Sequence, residues 1–253
     1  MKSIEAGDPA RPRSCAPVND QVVVEHTRRW ISSFVIGLGL CPFARRVFDA
    51  GRIRYAISHS RDENTLSNDL ASELHLLLAS PSTQIETTLL IHPHVLGNFL
   101  DYNDFLGVVD QLLEELRLCG AIQVASFHPQ YRFAATEPDA AENYTNRSPY
   151  PMLHLLRETS VSQAAVASDE VLKIPRRNIE TMRNLGQEHI LKRLQTLDAE
   201  HVGAAELAWD EGRVAIAAIV PPDAPVCLAQ ERPDVGGNRA NRARSRHITQ
   251  GHA

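Results

Sequence analysis

Three histidines each follow a short run that reads as a strand: His59 after RYAIS, His92 after TTLLI and His128 after QVASF. Pro93 and Pro129 stand directly behind the last two. Imidazole is the side chain that titrates closest to neutral pH, so these residues are candidates for acid–base or substrate-binding duty, His92 and His128 above all. Three imidazoles can also hold a divalent metal with one position left open, supplemented by His94, Asp101 or Asp104. Their spacings match no short ligand motif, so they meet only where the fold lines up the ends of the three runs.

Cys41, within LGLCPF, is a candidate nucleophile. If Pro42 opens a short helix, Cys41 lies at its N-cap, where free amides and the helix dipole stabilise a thiolate, with Arg45 and Arg46 one turn on. That setting lowers a thiol's pKa. A cysteine in an apolar string is equally a small packing residue. Asn143 to Pro151, NYTNRSPYP, crowds amides, tyrosines and an arginine together, with His154 and Arg157 just beyond. Arg147 can grip a carboxylate or phosphate with its planar fork while Tyr144 and Asn146 orient it. The same residues also suit an ordered turn-rich connection. In LDYNDFL, Asp101 and Asp104 are either paired carboxylates that touch substrate or acidic residues supporting a helix start, and the helix start is the better reading of Asp101.

The elements that must position these groups are legible in outline. An apolar face of helical period runs from Val23 to Leu38, and a short helix spans Ala44 to Phe48. Arg52–Ser58, Glu86–Ile91 and Ala121–Phe127 read as strands, separated by helices over Asp62–Ser80 and Asp104–Leu118. Crossovers of that length imply parallel strands, so the expected fold is α/β, a small mostly parallel sheet with a βαβαβ core and helices packed around it. Parallel strands bring their carboxyl ends, and so the three histidines, to one rim, where open α/β sheets bind ligands. A long unpatterned stretch follows, His128 to Pro149, then helices over Pro151–Glu158 and from Pro175 to Leu197.

These segments together, TRRWISSFVIGLGLCPFA, TTLLIHP, FLDYNDFL, VASFHPQYRFA and NYTNRSPYPMLHLLRE, resemble the bacterial family of uncharacterised proteins DUF1415 over about Val22 to Leu197. The resemblance implies no activity, cofactor or site residue.

The chain has 253 residues, 43% apolar and 23% charged, with 26 Lys+Arg against 31 Asp+Glu. That composition is globular and excludes collagen, coiled coil and wholesale disorder. A net charge of -5 offers no general attraction to nucleic acid. The longest apolar stretch, Phe34 to Phe43, is half of what a membrane span needs and is broken by glycines and a proline, so no membrane partner is expected. Four cysteines without CxxC spacing, and no apolar signal segment, suggest reduced thiols in a cytoplasm, with Cys119 packing and Cys15 and Cys227 in flexible segments. Residues 1–20 read as a disordered leader, 21–197 as one domain and 198–253 as a flexible tail, basic at its end. The leading expectation is an enzyme acting on a small anionic molecule at the carboxyl edge of the sheet. A metal-dependent hydrolase using His59, His92 and His128, and a non-catalytic binding or scaffold protein, are the alternatives.

Overall fold

The computed structural model describes residues 19–166 and 173–202. Most of the expected leader and nearly all of the expected tail lie outside the described residues.

Helix α1 (Asp20–Trp30) starts where the Asn19 side chain accepts the Gln21 amide at 2.9 Å, with Asp20 at its positive end and Arg28 and Arg29 at its negative end. It continues into a wider π-helical stretch, Ile31–Ile36. At Gly37 a side-chain carbon would meet the Ser33 carbonyl oxygen at 2.1 Å, so only glycine lets the chain leave the helix here. Helix α2 (Ala44–Asp49) and strand β1 (Ile53–Ile57) follow. Helix α3 (Glu63–Ala79) is capped by Asp62, whose carboxylate accepts the Thr65 amide at 2.9 Å. Its Leu66, Leu70, Leu74 and Leu77, spaced by three and four, are fully buried. Strand β2 (Thr87–Ile91), helix α4 (Phe99–Glu115), strand β3 (Ile122–Phe127) and a 3-10 turn (Ala141–Thr145) come next. Strand β4 (Met152–Arg157) and helices α5 (Glu158–Val166), α6 (Ile174–Leu185) and α7 (Gln187–Val202) complete the described chain.

Two expectations about elements need correction. Met152–Arg157 is a strand, not a helix. Its first residues are buried between two neighbouring strands, so MLHLLR shows no two-residue alternation to distinguish it from a helix. The single helix expected from Pro175 to Leu197 is two, divided at Gly186, which takes φ +77°, a region glycine enters without strain.

The strand at 152–157 also changes the sheet. The order is β1-β2-β4-β3, with β1 and β2 parallel and β4 antiparallel to both β2 and β3. The α/β class holds, whereas "mostly parallel" does not: one of the three pairings is parallel. Strands β1, β2 and β3 still share a direction, but β4 splits the second βαβ unit by occupying the place beside β2. The carboxyl ends of β1 and β2 are therefore adjacent, while that of β3 is two strand spacings from β2, roughly 9.6 Å away.

The register divides the side chains between two cores. Ile57, Ile91, Met152 and Phe127 form one row, and Tyr55, Leu89, His154 and Ala125 the next, on the face that packs against α1, the π-helix, α6 and α7. Ala56, Leu90, Leu153, Leu155 and Val124 face α3 and α4 on the other side. Among the described residues no helix is long and apolar enough to cross a membrane.

Candidate functional site

Two of the three strand-end histidines are sealed inside the protein. His92 and His128 are both 0% exposed. The Gln130 amide donates to His128 Nδ1 at 2.9 Å, so His128 is a neutral imidazole whose Nε2–H donates to the Leu96 carbonyl at 3.1 Å. His92 donates from Nδ1 to the Val95 carbonyl at 3.1 Å, which leaves Nε2 as a buried lone pair without a partner. Burial lowers the His92 pKa to about 4. Both rings pack on Tyr102, with centroids 5.9 Å and 5.0 Å away. The two histidines thus grip successive carbonyls of the β2–α4 loop, in which Leu96 is held at φ +57°, a conformation that costs a non-glycine residue on the order of 1 kcal/mol. What that anchored loop displays is His94.

His59 behaves differently. It is exposed beyond β1, its Nε2 is 3.1 Å from Asp20 Oδ2, and its ring stacks on that of His94 with centroids 6.3 Å apart. The β1–α3 turn that carries His59 and Arg61 is anchored as well. The buried Ser58 and Ser60 donate their hydroxyls to Asp69 Oδ2 at 2.6 Å and 2.7 Å, and the Ser60 amide donates to Ser58 Oγ. Behind this turn, between β1 and α3, lies a cleft of about 550 Å³. Ala56, Ile57 and Leu90 contribute apolar lining, and His59, Arg61, Asp62 and Asp69 contribute polar groups. His94 is half-buried, and its pKa is lowered, chiefly by burial and then by the positive charges of Arg61 and His59, with Asp20 opposing. Arg61 is exposed and makes no hydrogen bond or ion pair with the described residues.

The remaining candidates do not join this rim. Arg147 donates from Nε to the Tyr131 carbonyl at 2.9 Å and from Nη2 to the Pro138 carbonyl, and its guanidinium lies 4.6 Å from the Tyr144 ring centroid. Its fork holds the 128–149 connection together, and burial lowers its pKa. Tyr144 and Asn146 are 3% and 2% exposed, and Asn146 donates to the Ser126 carbonyl at 3.3 Å. His154 sits mid-sheet. Thr87 Oγ1 donates to the Leu155 carbonyl at 2.6 Å, so His154 Nε2–H is the donor in the 2.7 Å contact to Thr87, and burial lowers the His154 pKa to about 4. Asp101 lies in the first turn of α4, where its charge favours the helix dipole, but the cap is Asn98, which accepts the Leu100 amide at 2.8 Å. Asp104 is exposed one turn on.

Cys41 is a free thiol, but it does not have the setting expected of it. Helix α2 begins at Ala44 with Phe43 in the cap position, and burial raises the Cys41 pKa against the opposing amides of Phe43 and Ala44 and the charge of Arg177. Cys119 packs on the α3–α4 core as expected. His59, His92 and His128 do not converge, and among the described residues no group of three or more His, Cys, Asp or Glu is placed to hold a metal ion.

The sequence reading missed Arg61, Ser58, Ser60 and Asp69. A signal was present: SHSRD directly follows a strand and carries two hydroxyls, an imidazole and a guanidinium to its carboxyl end.

Fold and rim together define an α/β protein with a four-stranded mixed sheet and a polar cleft at the carboxyl ends of its one parallel pair. Residues 22–192 match the family described as "Protein of unknown function (DUF1415)". The chain belongs to that family. No curated protein matches it, and neither does any solved structure.

Proposed function

We propose that this protein binds a small anionic metabolite at the carboxyl edge of the β1–β2 pair and acts on it by proton transfer. The observation that carries the reading is the stack of the exposed His59 on the half-buried His94, with Arg61, which forms no ion pair with the described residues, beside His59 on the lining of the cleft. Two separately anchored loops present these groups, so their positions are held by Asp69 and its serines on one side and by His92 and His128 on the other. Arg61 supplies a planar donor set suited to phosphate or carboxylate. His94, whose pKa is lowered by burial and by the neighbouring positive charges, has in its neutral form a nitrogen lone pair that can accept a proton, and an anion seated at Arg61 would favour the imidazolium that results.

The test is an NMR titration of the His94 ring protons with and without inorganic phosphate. Phosphate is expected to raise the His94 pKa by offsetting the positive charge of Arg61, and Arg61→Ala should abolish that response. A His94 titration curve unchanged by phosphate would overturn the reading.

A further inference from the structure

The charges inside the cleft are balanced unequally, and one of them is left over. Glu73 is neutralised by Arg54, which donates to both of its carboxylate oxygens at 2.6 Å and 2.7 Å. Asp62 accepts the Thr65 amide at 2.9 Å and hydroxyl at 2.7 Å, and faces the positive end of α3. Asp69 is different. It is half-buried, its Oδ2 receives only the neutral hydroxyls of Ser58 and Ser60, and its Oδ1 accepts no hydrogen bond from the described residues. No cationic side chain of the described residues forms an ion pair with it.

A carboxylate oxygen that accepts nothing from the described residues and lines a cleft is open to a cation that a ligand supplies, and hydrogen bonds between charged groups are the strong ones. The Arg61 guanidinium, which forms no ion pair with the described residues, lines the same cleft. The cleft therefore carries one group of each sign that no described residue neutralises. Its volume of about 550 Å³ falls within the range of roughly 300–1,000 Å³ of small-molecule sites, leaving room for a ligand that spans both charges.

We propose that the ligand is a zwitterion, carrying its anion at Arg61 and a protonated amine at Asp69 Oδ1. This inference rests on the anion reading above and goes beyond it by naming the second functional group of the substrate class.

Calorimetric titration of the full chain with O-phosphoethanolamine, ethyl phosphate and inorganic phosphate tests it. O-phosphoethanolamine should bind about tenfold or more tightly than ethyl phosphate, the scale expected of a hydrogen bond between charged groups. Asp69→Asn should bring the two affinities to parity; any loosening of the Ser58–Ser60 turn that holds Arg61 weakens both compounds alike, so the ratio is the readout. Equal affinities in the wild-type protein would overturn the zwitterion and leave the anion reading standing, and this comparison decides even where Asp69→Asn fails to fold. A preference that survives Asp69→Asn would overturn the role of Asp69. Failure of all three compounds to bind would overturn both readings.

Discussion

Residue type alone did not separate the histidines that work as fasteners from those displayed to solvent. His59, His92 and His128 occupy equivalent places after their strands, yet His92 and His128 are enclosed by α4 and its Tyr102. Their surroundings depend on a helix that packs from elsewhere in the sequence, so the distinction is tertiary. Acid stability measures it. An unfolded histidine titrates near 6.5, whereas folded His92 and His154 titrate at about 4. As pH falls from about 6.5 towards 4 the unfolded chain takes up protons that the folded chain does not, so stability present above 6.5 is lost on the acid side. The loss is on the order of 2 kcal/mol per histidine by pH 5. Urea unfolding at pH 7.5 and pH 5 should show it in the wild-type protein, with a smaller difference in His154→Asn; identical differences in the two proteins would contradict the assignment. Cys41 illustrates the same dependence on surroundings. Its sequence neighbours suggested an activated thiolate, but burial raises its pKa. Its alkylation by iodoacetamide should still accelerate above pH 9, and a rate that levels off near neutrality would restore the nucleophile.

At the scale of elements, β1, β2, β3 and α3 were readable to within a residue or two because hydrophobic period and punctuation agreed. The start of α4 lay five residues earlier than the apolar pattern suggested, at the Asn98 cap. Strand β4 was not readable, since what makes it a strand is the pair of neighbours it slides between. Tyr102 shows how that insertion is secured. Its hydroxyl accepts the Phe127 amide and donates to the Met152 carbonyl, both at 2.9 Å, where β3 ends and β4 begins. Tyr102→Phe leaves both backbone groups without that partner in a fully buried place, so it should lower unfolding stability by about 2–3 kcal/mol. Chemical denaturation measures this, and a loss below about 0.5 kcal/mol would mean that the hydroxyl does not couple the strands.

For the whole molecule, the rim was expected with His59 on it and His94 in support, whereas Arg61 was not. The carboxyl ends of β1 and β2 still share one edge despite the antiparallel β4, because the two strands remain adjacent and parallel. The arginine expected at that edge, Arg147, lies in the 128–149 connection, and the one that lines the cleft is Arg61. Arg147 was conspicuous in a crowded polar loop, and that loop consumes its donors, whereas Arg61 in its short turn bonds to none of the described residues. The contrast between these two arginines tests the central claim most directly. In calorimetric titrations with inorganic phosphate, Arg61→Ala should weaken binding at least tenfold with thermal stability near that of the wild type. Arg147→Ala should bind phosphate as the wild type does while melting several degrees lower. Phosphate affinity lost in Arg147→Ala and retained in Arg61→Ala would place the anion in the 128–149 connection and contradict the account.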